Sequence, residues 1–244
     1  MIDEMINKNE YLKIIISKNP EYKNYLKIKF KELKSKKIKN INSLLKKLKE
    51  VNTFENLKSL VGHLNFSIFF SRKNFEEIDI GGKEFPSGRA CDIVLKWNSK
   101  TICVEIKSLI KKLELELADA KPIFDKKWDK ESIETATREV LGKDGKPPQL
   151  SENEPNILAF DLGHSLANVD DFESVFEHLV TKYPSREEVR REGLFFQKTG
   201  EKYLCELISG VIAIKDFHLI FCMSNPNVKK NLKLNKEFFK ELKN

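Results

Sequence analysis

The segment GRACDIVLKWNSKTICVEIKS, residues 88–108, decides how this chain is read. Two apolar runs, CDIVLKW (91–97) and TICVEIK (101–107), flank the polar pair Asn98-Ser99. Short runs rich in β-branched and aromatic residues, joined by a turn pair, are the pattern of a β-hairpin. With Asn98-Ser99 as the turn, Lys100 faces Trp97, Val104 faces Ile93, and Glu105 faces Asp92. Directly opposed residues hold their Cβ atoms roughly 4.5–5.5 Å apart. Side chains alternate along a strand, so Glu105 and Lys107 share one face, and Ile102, Val104 and Ile106 the other.

That register sets two carboxylates against each other at the end of an apolar hairpin. Like charges so placed repel, and a divalent cation between them would remove the repulsion. Mg²⁺ is commonly held through one or two carboxylates. Lys107 lies one pleat further along the same face, where an ammonium can position a water or stabilise charge on a phosphate. Such a cluster suits metal-assisted phosphodiester hydrolysis. A site at a sheet edge or cleft also implies that truncating Asp92 or Lys107 costs little stability. The competing reading is a surface hairpin carrying an ordinary Glu–Lys pair.

The same segment resembles the signature of the PD-(D/E)XK nuclease superfamily: an Asp, a β-hairpin, then Glu-x-Lys on the next strand. The resemblance implies that Asp92 and Glu105 bind the metal, Mg²⁺ or Mn²⁺, and that Lys107 acts in catalysis. It also implies the αβββαβ core of restriction enzymes, over roughly residues 53–165. Cys91 stands where that family often has proline. Many members add a Glu from the first core helix; Glu55 is the best match here, with Glu76 and Glu77 as alternatives. Many enzymes of this type pair to cut two strands, so the resemblance is compatible with a homodimer.

Outside the hairpin, the chain reads as helices followed by helix–strand alternation. Ile38, Ile41, Leu44, Leu45, Leu48 and Val51 recur at helical spacing between lysines. Pro20 suits the first turn of a helix reaching Lys36. Thr53 suits the N-cap of the next helix, which holds Leu57, Leu60, Val61 and Leu64; NFSIFF (65–70) could extend it or begin a strand. Helical text resumes at 109–120, about 130–141 and 170–182. NILAFDLG (156–163), YLCELISGVIAI (203–214) and FHLIFCM (217–223) read as strands, and SNPNVKKNL (224–232) as a turn into a short basic helix. The expected fold class is therefore α/β, an α+β mixed sheet with a restriction endonuclease-like core. Residues 1–52 form a helical, lysine-rich extension, 53–228 the nuclease-like domain, and 229–244 a basic C-terminal tail helix.

Charge points to the kind of partner. The chain carries a net +7. Residues 1–50 hold 14 Lys against 6 acidic residues, and 229–244 hold 6 Lys against 2. Basic ends can follow a phosphate backbone without reading sequence, which puts Lys46 and Lys47 forward as nucleic-acid contacts. Arg89 could contact phosphate beside the motif. Lysine-rich helix faces are also commonly just solvated. Asp161 at a strand end is a weaker site candidate than it is a turn former, and Trp97 and Trp128 are likelier packed than stacked on bases.

Other classes are disfavoured. The four cysteines (91, 103, 205, 222) form no C-x-x-C pair, and the four histidines (63, 164, 178, 218) lack zinc-ligand spacing. Cys91 and Cys103 read as small buried thiols in a reducing compartment. No apolar run approaches the roughly 18 residues of a membrane span, and the first ten residues, MIDEMINKNE, carry no secretory pattern. The expectation is a cytoplasmic, metal-dependent nuclease without membrane contact, acting on DNA rather than RNA. Two readings stand beside it: a non-cleaving nucleic-acid-binding protein on a nuclease-like fold, and a partner-binding structural protein.

Overall fold

The computed structural model describes residues 2–36, 38–82, 90–109, 126–140, 149–163, 165, 167–180, 198–199 and 202–244. They form a mixed α/β structure around a seven-stranded sheet. The chain starts with helices α1 (Ile2–Lys8), α2 (Glu10–Lys18) and α3 (Glu21–Lys34). Asn9 caps α2 by accepting the Leu12 N–H, and Pro20 stands just ahead of α3. The stripe beginning at Ile38 is not one helix. Ile38–Lys39 forms a short strand, β1, and Asn40 then turns the chain at a φ of 58°. Asn tolerates that left-handed conformation because its short polar side chain bonds locally. Helix α4 (Ile41–Glu50) follows and buries Leu44, Leu45 and Leu48.

Helix α5 (Phe54–Ser71) is capped by Thr53, whose hydroxyl accepts the Asn56 N–H at 3.2 Å. NFSIFF continues this helix, and every residue from Leu60 to Phe70 is buried. A helix that is apolar all round has to be enclosed on all sides. Phe66, Phe69 and Phe70 meet the sheet through Ile93, Leu95, Ile102, Val104 and Ile106. On the opposite side Leu57, Leu60, Val61 and Leu64 meet Leu12, Ile15, Leu26, Phe30, Leu44 and Leu48. The lysine-rich N-terminal helices thus form a layer over α5, with most of their lysines turned outward.

The remaining elements are β2 (Glu77–Ile80), β3 (Ile93–Trp97), β4 (Lys100–Ser108), α6 (Lys126–Val140), β5 (Asn156–Asp161), α7 (Val169–Val180), β6 (Lys198–Thr199), β7 (Lys202–Tyr203), the single turn α8 (Leu204–Leu207), β8 (Ile208–Lys215), β9 (His218–Ser224) and α9 (Lys236–Lys243). The sheet order is β1-β2-β3-β4-β5-β8-β9, and β6 pairs with β7 apart from it. Strands β2, β3 and β4 are an antiparallel meander; β4, β5 and β8 run parallel; β9 returns antiparallel. The β3–β4 register is the one the sequence implies: Ile93 faces Val104 and Trp97 faces Lys100. Asn98 and Ser99 have φ of 47° and 62°, the double left-handed turn that matches strand twist. The strand expected from Tyr203 begins only at Ile208, after α8.

The sheet separates two cores. Leu158 and Phe160 face Ile133 and Val140 of α6 and Phe172, Val175 and Phe176 of α7. Ile157, Ala159 and Ile212 face α5 and also Phe238, Phe239 and Leu242 of α9. The C-terminal basic helix is therefore packed by one face, not held out as a tail. No described helix is long and apolar enough to cross a membrane. The expected helix at 109–120 lies outside the described residues apart from its first position.

Two stability outcomes follow from the enclosure of α5. Leu48→Ala removes a fully buried side chain and should cost about 2–5 kcal/mol in urea unfolding. Deleting residues 1–52 uncovers the outer face of α5 and should yield aggregated protein without a cooperative melt. A truncated chain that is monomeric and melts like the full chain would show that this layer is dispensable.

Candidate active site

The hairpin motif lies where β3 and β4 part, beneath the middle of α5. Gly62 makes this close approach practicable. A Cβ there would meet Ile106 Cγ2 at 3.2 Å and Ser108 Cβ at 3.3 Å. The next residue, His63, is almost completely buried and reaches the end of the hairpin.

Asp92 sits at a bend one residue before β3, so the Asp92–Glu105 pair is not a rung of the ladder. Its Oδ2 accepts the Ile106 N–H at 2.8 Å. Backbone N–H groups of a sheet lie in its plane, so this bond draws the carboxylate into the opening between the strands. Oδ1 lies 2.9 Å from His63 Nε2. On the other side of His63, Nδ1 is 2.6 Å from the Ser59 carbonyl. A carbonyl only accepts, so Nδ1 carries a proton. Lys47 Nζ is 2.8 Å from the same Nε2 that faces Asp92. That nitrogen can accept from Lys47 when the ring is neutral, or donate to Asp92 when it is charged, but not both at once.

Glu105 is buried, and its Oε1 is 3.3 Å from Lys107 Nζ. Lys107 also donates to Gln149 Oε1 at 2.8 Å. Both residues lie on the face of β4 opposite Ile106, as alternation requires. Lys47 is close enough to Asp92 and Glu105 to feel both charges. Burial pulls its ammonium below the usual lysine pKa, against the two carboxylates. Burial would by itself raise the pKa of Asp92. His63, by charge and hydrogen bond, then the Ile106 N–H and the Lys47 ammonium outweigh it and hold the carboxyl below the ordinary range.

Asp92, Glu105 and Lys107 are thus joined by Lys47, His63 and Gln149. Glu55 is not part of this group. It is exposed in the first turn of α5, with Lys58 at 3.6 Å, two turns away from His63. Glu77 pairs with Lys39 at 2.6 Å and Lys96 at 3.5 Å at the far end of the hairpin, and Glu76 is exposed. Lys46 points to solvent, 4.0 Å from Glu50. Arg89 lies outside the described residues, as does the Trp128 side chain. Trp97 packs edge-on against Phe75 and Phe238. Asp161 is buried at the end of β5, where its carboxylate accepts from Asn65 Nδ2 at 2.9 Å and from the Gly163 N–H at 3.3 Å. Tyr25 donates in turn to Asn65, so Asp161 ties α3, α5 and the sheet together.

Two corrections concern chemistry. Cys91 and Cys103 are buried as expected, but they are bonded to each other rather than being separate thiols. Truncating Asp92 is also not cheap: it would strip partners from the Ile106 N–H and from His63, and an orphaned buried polar group costs about 1–3 kcal/mol. His63 was legible only as the polar break, with Asn65, in an otherwise apolar helix; zinc spacing is the wrong test for it. Among the described residues, no three His, Cys, Asp or Glu side chains converge as ligands of one ion.

The depressed Asp92 pKa has a stability consequence whose sign is fixed. A carboxyl whose folded pKa lies below its unfolded value stabilises the fold above the unfolded value, about 3.9. That contribution is lost as pH falls through the folded value. In EDTA, the wild-type chain should therefore lose stability below about pH 4 by an increment that Asp92→Asn lacks. Parallel stability–pH curves for the two proteins would show that Asp92 does not titrate in this way.

No family model matches the chain, and no curated protein or solved structure was found to be similar to it.

Proposed function

We propose that the chain is a metal-dependent nuclease that hydrolyses phosphodiester bonds, with DNA as its substrate and a restriction or defence role. The observation that carries this reading is that the Asp92 carboxylate accepts the N–H of Ile106, the residue between Glu105 and Lys107 on the facing strand, with Lys107 Nζ 3.3 Å from Glu105. The order α5–β2–β3–β4–α6–β5, with β5 parallel to β4, also runs as the resemblance to PD-(D/E)XK nucleases implies. The donor set fits the implied cation. Two carboxylates offer hard oxygens, which suit Mg²⁺ or Mn²⁺ rather than a soft ion. Asp92 is only partly buried, and each carboxylate has about four lone-pair positions, so its two hydrogen bonds leave oxygen capacity for a ligand.

Asp92 and Glu105 would hold the metal, which when bound supplies Lewis-acid polarisation and a water of lowered pKa. The protein's own groups do the placing. The Ile106 N–H and His63 fix both oxygens of Asp92. Gln149 and Glu105 fix the Lys107 ammonium, from where it can orient a water and offset negative charge on the phosphate. A fixed cation aimed at developing charge stabilises a transition state without reorganising. The net charge of +7 supplies a sequence-independent attraction for a polyanion. Nothing here requires a second subunit, and a homodimer is proposed only because cutting both strands of a duplex is simplest with two sites.

The test is incubation with DNA and RNA, single- and double-stranded, in Mg²⁺, Mn²⁺ or EDTA. Cleavage should appear with either metal and vanish in EDTA. Glu105→Gln and Lys107→Met should each lower it by about a hundredfold or more while the melting transition stays cooperative. A wild-type chain that binds these nucleic acids but cuts none of them in either metal would instead support the non-cleaving reading.

A further inference from the structure

Helix α4 carries Lys46, Lys47 and Lys49, and only Lys47 among them turns inward. Its Nζ lies 2.8 Å from Nε2 of His63 on α5. The helix beneath it is held firmly. Leu44 and Leu48 are fully buried, and Asn9 Nδ2 donates to the carbonyls of Lys49 at 3.1 Å and Val51 at 2.7 Å. A largely desolvated ammonium is costly unless it has work or a partner. When the His63 ring is neutral, its Nε2 engages one of the three N–H groups of Lys47.

Charge balance shows what the remaining groups face. With His63 neutral and accepting from Lys47, Asp92 and Glu105 are already matched by Lys47 and Lys107. A divalent cation at the carboxylates would leave this cluster with a surplus of two positive charges. Such a surplus is neutralised by an anion entering beside the cation, and a phosphodiester with its attacking hydroxide supplies it. The two lysines come from different elements, α4 and β4; Lys47 shares His63 Nε2 with Asp92, and Lys107 pairs with Glu105.

We propose that Lys47 binds the scissile phosphate of the nucleic acid opposite Lys107, oriented by His63, so that the N-terminal helical layer supplies part of the active site. This rests on the nuclease reading above and adds a phosphate contact from outside the hairpin motif.

The test uses the full chain with Lys47→Met, Lys47→Arg and Lys49→Met, the last an exposed lysine on the same helix with the same charge loss. Affinity for a labelled 20-mer duplex DNA is measured in EDTA across salt concentrations, and cleavage in Mg²⁺. Lys47→Met should lower cleavage about a hundredfold and reduce the slope of log K against log salt by about 0.9, while Lys49→Met alters neither. Lys47→Arg keeps the charge and should keep the salt slope, but cut more slowly, because a planar guanidinium does not reproduce a point charge beside His63. If Lys47→Met fails to fold, Lys47→Arg decides. A folded Lys47→Met that binds and cuts as wild type, equal losses in Lys47→Met and Lys49→Met, or unimpaired cutting by Lys47→Arg would each overturn the proposal. If the wild type cuts nothing but Lys47→Met still loses affinity relative to Lys49→Met, the nuclease reading fails and the phosphate contact stands.

Discussion

The enclosure of helix α5 is the constraint from which the rest of the structure follows. Eleven consecutive residues, Leu60 to Phe70, are buried, so the helix needs apolar cover on both sides. The sheet covers one side and the N-terminal helices the other. That demand explains why a segment so rich in lysine is nevertheless built on Leu12, Ile15, Leu26, Phe30, Leu44 and Leu48. It also explains how a polar residue in the helix can reach the hairpin. Gly62 brings α5 down on Ile106 and Ser108, and His63 then has Asp92 and Lys47 within hydrogen-bonding distance.

The hairpin was readable because its information is local. A two-residue turn between apolar runs sets every facing pair, and the observed rungs from Trp97–Lys100 to Ile93–Val104 obey it. The same arithmetic stops being valid one residue further on, where the chain bends and the Asp92 carboxylate replaces a backbone acceptor for Ile106. Helix caps at Thr53 and Asn9 are local as well; Thr53 was visible in the sequence. What could not be read was long-range. Nothing near Lys47 announces that it meets His63, sixteen positions on, rather than solvent like Lys46. Glu55 was chosen by its place in a first helix, but the helix presents that turn to solvent and presents His63 to the site instead. The burst of strand-like residues at 204–207 is likewise one helical turn, because the strand pairs with β5 only from Ile208.

The site combines two carboxylates with two ammonium groups and an imidazole in a partly closed setting. Low solvent exposure strengthens each of these interactions, and it makes any unmatched charge expensive. His63 Nε2 serves either Lys47 or Asp92, so a ligand that engages one of them changes what the ring does with the other. Lys107 is held by Gln149 from the segment just before β5, so a segment outside the hairpin also contributes to the cluster. This is the arrangement expected where a cation and an anion must be held side by side, and it is the physical basis for the nuclease reading.

Metal binding is where that reading is most directly exposed. Free Mn²⁺ followed by electron paramagnetic resonance, titrated with the full chain, measures occupancy without any assumption about substrate. The account predicts saturable binding at the hairpin site that Glu105→Gln and Asp92→Asn both weaken, with Lys49→Met unchanged. Mn²⁺ binding that is indifferent to both carboxylate substitutions, in the presence as well as the absence of an uncleaved oligonucleotide, would contradict it.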